Sequence, residues 1–491
     1  MSPPDSLRLS RQRLGLLLGP LLCLALLLAP VPEGMSPAGL RVAAVTALMA
    51  TWWITEAIPI AATALVPIAL FPLLGVMPSA KVTPAYANHL IYLFMGGFLL
   101  AVCIERWDLH RRIALHTIRL VGTTPSRIVL GFMLATAALS AWISNTATAM
   151  MMVTIGMAVL RQLGLADEDR PAGESAFGTS LMLAIAYSAS IGGVATLVGT
   201  PPNAILAGVL ERHYGIAIGF TDWMLFALPV ALVMLLVTWV YLTRFAFRCD
   251  RLDLPLGREA LRADLEGLGP MRAPERRVLA VFLLVVAGWL LRGLVNAAVF
   301  EDVADSSIAM LGALLLFLIP AGGGHGGFLL DWKTAARIPW DVILLFGGGF
   351  ALANGFAESG LTQWLGDRLE LLSGAGTVVI VLGTTLLVVF LTEVTSNTAT
   401  ASLLIPVAGG FALAAGIAPL YLMAPVTLAA SFAFMLPVAT PPNAIVFASR
   451  QVSIPQMARA GLWLNLIGTL LIAAATLGLL PWVLGVTATG T

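Results

Sequence analysis

Apolar segments of bilayer length recur along the whole of this chain. A helix needs about 20 mainly apolar residues to cross the hydrocarbon of a membrane. Charged residues make up only 11% of the sequence, whereas soluble proteins carry about a quarter. The pattern therefore predicts an all-α polytopic membrane protein. The eleven candidate transmembrane helices are 14–31, 39–57, 59–77, 88–105, 177–212, 223–247, 278–298, 306–322, 340–358, 416–449 and 459–484.

The first of these segments has two interpretations. Arg8, Arg11 and Arg13 precede a Leu-rich stretch, which is also the pattern of a secretory signal. The apolar stretch from Leu14 to Val31 is 18 residues long, which is long for the apolar part of a signal. We therefore expect a retained helix.

Two further apolar stretches, 124–160 and 373–412, are predicted to be re-entrant hairpins. Lys and Arg of short loops gather on the cytoplasmic side of a membrane. A hairpin returns to the side of the membrane from which it starts. If both stretches are hairpins, all the main basic groups lie on the cytoplasmic side, whereas a single crossing would place some of them outside. We expect a protein of the cell (inner) membrane with a cytoplasmic N-terminus and its C-terminus outside. The basic groups are the N-terminus, 106–120, 244–277 and the loop that contains Lys333 and Arg337.

The two halves of the chain repeat each other. FMGGF at 94–98 matches FGGGF at 346–350, LSAWISNTAT at 139–148 matches LTEVTSNTAT at 391–400, and VGTPPNAI at 198–205 matches VATPPNAI at 438–445. The helix that contains Phe94 runs toward a cytoplasmic basic segment, and the helix that contains Phe346 runs away from one, so the repeats are inverted. Inverted repeats with broken helices indicate a secondary transporter whose site lies near the bilayer midplane.

Each predicted hairpin carries the polar string Ser-Asn-Thr-Ala-Thr-Ala at its middle, at 144–149 and 396–401. A polar break at membrane depth is tolerated only where it is buried in protein or lines a water-filled cavity. At such a tip, free carbonyl groups can bind a cation and free N–H groups an anion. The alternative interpretation is close packing of small residues between helices. Two copies in register favour a binding site.

Neither tip has an Arg or Lys beside it within its hairpin. A bound dianion would have no side-chain counter-charge there, and an unpaired buried charge is costly. Cations must therefore help to neutralise it, and hydroxyl and carbonyl oxygens suit Na+. Cys and His show no spacing typical of a metal site. The net charge of +1 gives no indication of nucleic acid binding.

Glu393 is an acid at apparent membrane depth, at the position of Ala141 in the first repeat. Intramembrane acids often act in ion or proton pathways. Glu393 could tune the second cation site or carry a proton, or it could cap a broken helix through hydrogen bonds. The sequence leaves both alternatives open.

The motifs ASFAFMLPVATPPNAIV at 430–446 and the paired Ser-Asn-Thr strings resemble the divalent anion/sodium symporters, a family that includes dicarboxylate, citrate and sulfate carriers. The similarity begins at WWITEAIPIAATALVP, 52–67. The resemblance implies a homodimer in which each protomer has a static scaffold and a transport region that moves as an elevator. It also implies a sodium site at each hairpin tip.

The residues that match the family's motifs fall into three sets. The first sodium site would use Ser140, Ser144, Asn145 and Gly199, and the second would use Thr392, Thr395, Asn397 and Ala439. The substrate would contact Ser144, Asn145, Thr146, Thr200, Pro201, Ser396, Asn397, Thr398, Thr440 and Pro441.

The resemblance also divides the chain into regions. Scaffold helices are expected at 1–122 and 278–371, hairpins and transport helices at 123–247 and 372–491, and a cytoplasmic connector at 248–277. The expected function is sodium-coupled symport of a divalent anion such as succinate. A sodium-independent dicarboxylate exchanger, and a citrate or sulfate symporter, remain alternatives. Paired Asp, HExxH and Ser/His patterns are missing from the spans, so we do not expect an enzyme.

Overall fold

The computed structural model describes residues 5–122, 124–165, 173–249, 267–294, 303–369 and 376–486. Most of these residues are helical. The helices of the first half are α1 Asp5–Leu28, α2 Pro37–Thr55, α3 Ile60–Thr63, α4 Val66–Leu73, α5 Ser79–Val82, α6 His89–Arg106, α7 Leu109–Val121, α8 Pro125–Ser140, α9 Asn145–Gln162, α10 Ala176–Val194, α11 Pro201–Tyr214 and α12 Phe220–Val240. A 3-10 turn at Thr83–Ala87 joins α5 to α6, and a π-helix at Tyr241–Ala246 extends α12.

The helices of the second half are α13 Ala273–Leu294, α14 Asp305–Leu318, α15 Trp332–Ala335, α16 Trp340–Glu358, α17 Leu361–Leu369, α18 Thr377–Thr392, α19 Asn397–Ala414, α20 Leu420–Ser431, α21 Pro441–Ala448, α22 Ile454–Gly478 and α23 Leu480–Leu484. A two-stranded antiparallel hairpin, β1 Pro320–Gly322 and β2 His325–Phe328, follows α14. Most of the predicted connector lies outside the described residues.

Among the described residues, eight helices are long and apolar enough to cross a membrane. The predicted all-α polytopic fold is confirmed. The predicted segments 177–212 and 416–449 are each interrupted before a Pro-Pro pair, as expected for a repeat with broken helices. Two other segments are helical over shorter lengths than expected. Segment 59–77 forms α3 and α4, and 306–322 stops being helical after Leu318 and turns into β1. Hydropathy alone does not detect such breaks, because the residues at a break can be as apolar as those in a helix.

The sequence repeat is also a structural repeat. Helices α8 and α9 begin and end 252 residues before α18 and α19, respectively. Likewise α11 and α21 both begin at the first Pro of a TPPNA motif, 240 residues apart. Each half therefore contains a helix–turn–helix hairpin and a helix that is broken before its Pro-Pro pair.

Three of the predicted basic groups lie together at one end of the bundle. Arg106 at the end of α6 forms an ion pair with Asp331 at 2.6 Å, and Arg112 on α7 forms one with Glu275 at 2.5 Å. The Thr334 backbone N–H donates to Asp331 and, together with the Arg106 guanidinium, holds the pKa of that carboxyl below its usual range. These contacts place 106–120, the end of the connector and the Lys333 loop on the same side.

A second polar group of contacts surrounds the C-terminal end of α16, which starts beside the first group and runs away from it. Lys81 lies 3.4 Å from Glu358, and the Ser36 hydroxyl donates to the Ser359 carbonyl at 2.6 Å. The loops that follow α1 and α16 therefore share one end of the molecule.

The centre of the molecule is α10, whose residues from Phe177 to Val194 are all buried. It packs on α8, α9 and α12 of its own half and on α20 and α21 of the other half. The Thr179 hydroxyl donates to the Gln451 carbonyl at 2.8 Å, and the Tyr187 hydroxyl donates to the Met457 carbonyl at 3.4 Å. The two halves are thus interleaved around this helix.

Candidate transport site

Three oxygens meet at the first hairpin tip. Helix α8 ends at Ser140 and α9 begins at Asn145. The hydroxyl oxygen of Ser140 lies 2.5 Å from Asn145 Oδ1 and 2.7 Å from the carbonyl oxygen of Ala189 on α10. A hydroxyl has one hydrogen, so it cannot satisfy both neighbours fully. Such an electronegative group of oxygens suits a hard cation.

The second tip repeats this arrangement. The Thr392 hydroxyl oxygen lies 3.0 Å from Asn397 Oδ1 and 2.9 Å from the carbonyl oxygen of Ala430 on α20. Thr392 and Asn397 are the counterparts of Ser140 and Asn145 at the offset of 252. The structure thus brings together Ser140 with Asn145 and Thr392 with Asn397, which the sequence analysis grouped by tip, and adds two carbonyl groups from α10 and α20 that it did not include.

The Ser-Asn-Thr residues themselves are the accessible part of each tip. Residues 144–146 and 396–398 are half-buried, and the residues that follow them along α9 and α19 become buried. Ser144 caps α9, because its hydroxyl oxygen accepts the N–H of Ala147 at 3.2 Å. Thr146 and Thr398 lie in the first turn of their helices, where N–H groups have no intrahelical partner. An anion that approaches either tip meets a helix N-terminus.

Glycines bring the break of the first repeat against its tip. A Cβ atom on Gly193 would lie 2.6 Å from Asn145 Oδ1, and one on Gly199 would lie 2.3 Å from the Gly193 carbonyl oxygen and 3.1 Å from that of Ala141. Any side chain at Gly199 would therefore force these carbonyl groups apart. The corresponding residue of the second repeat, Ala439, is buried. The predicted ligand Gly199 thus sits among three chain segments that expose carbonyl oxygens to one another.

Asn203 and Asn443, the Asn residues of the two TPPNA motifs, were not predicted as site residues. Asn203 Nδ2 donates to the Thr196 carbonyl at 2.7 Å and to the Gly193 carbonyl at 3.3 Å. Asn443 Nδ2 donates to the carbonyl groups of Ala433 and Leu436, both at 3.0 Å. Each Asn therefore ties the broken segment together. Their matched places in the repeated motif were the signal that could have identified them.

Glu393 caps the break of the second repeat. One carboxylate oxygen accepts the N–H groups of Phe434 at 2.7 Å and Met435 at 2.9 Å, and the other accepts that of Leu436 at 3.0 Å. The carboxylate thus accepts the free N–H groups of the non-helical segment between α20 and α21. The geometry favours the capping interpretation of Glu393 over the alternatives.

Some predicted ligands are directed elsewhere. The Thr395 hydroxyl contacts the Thr400 hydroxyl at 2.5 Å and donates to the Leu391 carbonyl at 2.9 Å, so it faces the inside of its own hairpin rather than Asn397. Thr440 caps α21, since its hydroxyl oxygen accepts the N–H of Asn443 at 3.3 Å. The counterpart of Thr440, Thr200, is buried and makes no side-chain cap. Pro201 and Pro441 form the first turns of α11 and α21 and are less buried.

One cation does reach the second tip from outside its hairpin. The Arg11 guanidinium on α1 donates to the Val394 carbonyl at 3.3 Å and also to the Ile54 carbonyl. Arg11 lies outside the hairpins, where the sequence gives no sign that it approaches the tip. At the first tip the counterpart of Val394 is Trp142, which stacks on Trp289 of α13 at a centroid distance of 6.4 Å.

The two repeats also contact each other close to the hairpins and the TPPNA breaks. Helix α21 of the second repeat packs against α9, and α11 of the first packs against α19. Each helix that follows a TPPNA break therefore lies on the hairpin of the other repeat.

A family model for the transmembrane region of sodium:sulfate symporters matches residues 11–486. The chain belongs to this family. The family is one of transporters, in agreement with the expectation that the chain is not an enzyme. The chain is 45% identical over 483 residues to the sodium-dependent dicarboxylate transporter SdcS of Staphylococcus saprophyticus, covering 97% of this chain and 93% of that one. It is 46% identical over 480 residues to SdcS of Staphylococcus aureus strain USA300, covering 97% and 92%.

Two solved structures share the helical fold of this symporter family member at low sequence identity. MtrF of Neisseria gonorrhoeae aligns with a TM-score of 0.54 and 11% identity over 80% of this chain and 83% of its own. The YdaH transporter of Alcanivorax borkumensis aligns with a TM-score of 0.54 and 15% identity over 82% and 86%. The fold is therefore that of a membrane transporter.

Proposed function

We propose that this protein is a sodium-coupled symporter of a C4 dicarboxylate such as succinate. The observation that carries the proposal is the repeated oxygen cluster at the two hairpin tips, Ser140 with Asn145 and Thr392 with Asn397. Two such clusters suit two sodium ions, and the relatives named above are sodium-dependent dicarboxylate transporters.

The first sodium ion would be held by Ser140, Ser144, Asn145 and Gly199, through side-chain and carbonyl oxygens. Thr392, Thr395, Asn397 and Ala439 would hold the second, with Thr395 using its carbonyl because its hydroxyl faces Thr400. The carbonyl groups of Ala189 and Ala430 lie close enough to the two clusters to join the respective sites.

The substrate would lie between the two Ser-Asn-Thr tips, one carboxylate at each. Thr200, Pro201, Thr440 and Pro441 would line the same space. Sodium ions at the tips supply positive charge, and helix N-termini supply N–H donors, so the dianion needs no buried Arg or Lys.

Transport would proceed by an elevator movement of 123–247 and 372–491 against the scaffold regions 1–122 and 278–371 in a homodimer. The repeats would be inverted, with the N-terminus cytoplasmic, the C-terminus outside and the protein in the inner membrane. The shared position of 106–120, the connector end and the Lys333 loop supports this topology, because all three are basic.

Uptake of labelled succinate into proteoliposomes tests the proposal. Uptake should require an inward Na+ gradient and proceed without internal substrate. Uptake that requires internal dicarboxylate and ignores Na+ would instead identify an exchanger. Labelled citrate and sulfate, measured in the same vesicles, identify the preferred anion.

A further inference from the structure

An apolar groove of about 410 Å³ lies on the outer side of the second hairpin. Its walls include Ile380, Gly383 and Leu387 on α18, Phe411 on α19 and Val426 on α20. The only polar side chain among the described lining residues is Thr384, and its hydroxyl already donates to the Ile380 carbonyl at 2.7 Å. The groove therefore offers no free side-chain group to a polar ligand.

The first repeat shows how the same surface looks when it is covered. Gly131 is the counterpart of Gly383, and a Cβ atom there would lie 3.0 Å from the backbone of Ile118 on α7. A Cβ atom on Gly383 would meet no described residue within 4 Å. Helix α7 thus packs on the first hairpin where the second hairpin is open.

The residues beside the two glycines are likewise more buried in the first repeat than in the second. Phe132 is fully buried in the first repeat, and its counterpart is the smaller, half-buried Thr384. Ala135 is 0% exposed, whereas its counterpart Leu387 is 64% exposed. The second hairpin lacks this bulky ring, and in the part of the chain that the structure describes the counterpart of α7, helix α17, packs on α19 rather than over this space.

The surface that surrounds the groove indicates what fills it. Val378, Val379 and Phe390 on α18 are exposed together with Leu387, so the groove opens onto a continuous apolar face. In a protein that crosses a membrane, such a face meets lipid hydrocarbon. Water is a poor occupant, because a bound water needs two to four polar partners. A hydrocarbon chain needs none and gains dispersion contacts with the walls.

We propose that this groove is a binding site for one acyl chain of a membrane phospholipid. The site is formed by α18, α19 and α20 of the second repeat, and at the matching place on the first hairpin α7 covers Gly131. The chain occupies the position that α7 holds on the first hairpin. This inference does not depend on the transported anion or on sodium coupling.

Photochemical labelling of the full chain in vesicles tests the site. The vesicles would contain phosphatidylethanolamine, phosphatidylglycerol and a phosphatidylcholine with a diazirine in its acyl chain, and the labelled residues would be located by mass spectrometry. Phe411 and Val407, which line the groove on α19, should be labelled more strongly than Leu413. Leu413 is 52% exposed on the same helix but lies outside the groove.

Gly383→Leu should remove most of the labelling of Phe411 and Val407, because the new side chain fills the groove. The substitution keeps the fold, since the Cβ atom has room and Leu favours a helix more than Gly does. Leu386→Phe adds volume to the exposed face of α18 outside the groove and should leave the labelling unchanged.

Two results would overturn the proposal. One is labelling of Phe411 that does not exceed that of Leu413 and is unaffected by Gly383→Leu, which would show that bulk lipid alone is in contact. The other is cross-linking of these residues to a second protomer, which would show that another copy of the chain covers the groove.

Discussion

Asn465 on α22 donates its side-chain N–H to the carboxylate of Glu393 at 2.7 Å. The same carboxylate accepts the backbone N–H groups of three consecutive residues at the end of α20. A helix far along the chain thus fixes the orientation of the acid that caps the second break. The acid, the break and α22 form one buried hydrogen-bonded unit.

Replacing Glu393 with Gln should destabilise the folded protein. The Gln amide would present N–H groups to backbone N–H donors, and each buried donor left without an acceptor costs about 1 to 3 kcal/mol. Thermal unfolding in detergent should shift to lower temperature, whereas Glu358→Gln, which breaks an exposed ion pair, should have little effect. A mutant of unchanged stability that loses only the pH dependence of uptake would indicate a proton carrier instead.

Replacing Asn145 or Asn397 with Ala should lower the apparent Na+ affinity of uptake. Each substitution removes one oxygen of a tip cluster. Asn354→Ala is a matched control, because Asn354 is buried on α16 and its side chain forms no hydrogen bond with a described residue. Uptake measured across a range of Na+ concentrations provides the comparison, and unchanged Na+ dependence in both tip mutants contradicts the site assignment.

Replacing Thr146 or Thr398 with Val should weaken dicarboxylate binding about tenfold to a hundredfold. A hydrogen bond to a charged group is worth roughly 1.5 to 3 kcal/mol, and Val keeps the shape of Thr. Competition with labelled succinate by malate, butyrate, citrate and sulfate measures the loss. If butyrate competes as well as malate, the two tips do not each bind a carboxylate. If neither mutant changes affinity, the Ser-Asn-Thr strings only pack helices.

Replacing Asn203 or Asn443 with Asp should destabilise the protein more than replacement with Ala. Asn Nδ2 donates to two or more carbonyl groups in each break, and a carboxylate there would face those oxygens without a donor. We expect each Asp substitution to lower the free energy of unfolding by about 1 to 3 kcal/mol. Thermal unfolding of the Asp and Ala variants measures the difference. Equal effects of Asp and Ala would mean that these bonds contribute little.

Cysteine labelling tests the topology. Cysteines placed at Glu33 and Lys333, which are both exposed, should react with an impermeant maleimide from opposite sides, Glu33 from outside and Lys333 from the cytoplasm. The native cysteines Cys23, Cys103 and Cys249 are buried and should give a low background. Reaction of both positions from one side would exclude the proposed orientation.

The hairpins and the paired tip residues could be predicted because they rest on local sequence. The strings that contain Ser144 and Ser396 mark both turns, and the fixed offset of 252 predicts that their hydrogen bonds match. Segment 59–77 was expected as a single span because its apolar composition hides the break between α3 and α4. Backbone conformation, rather than composition, decides that break.

Contacts between distant elements could not be predicted. Glu393 and Asn465 are separated by 72 residues, and nothing in the apolar sequence around Asn465 indicates its partner. Arg11 reaches Val394 from 383 residues away. Such pairs depend on how helices pack, which a single sequence does not reveal. The first pair belongs to the cap that Glu393 forms, which the sequence left open. The second pair brings a cation to the second tip, which the sequence did not predict.

The burial of α10 has a consequence for biosynthesis. Its partners Gln451 and Met457 lie about 270 residues further along the chain, so they leave the ribosome long after α10 has been made. Until then, the hydroxyl groups of Thr179 and Tyr187 lack the second-repeat carbonyl groups to which they donate in the folded protein. A nascent chain that stalls before α22 cannot complete its own centre and should be recognised and degraded as unassembled.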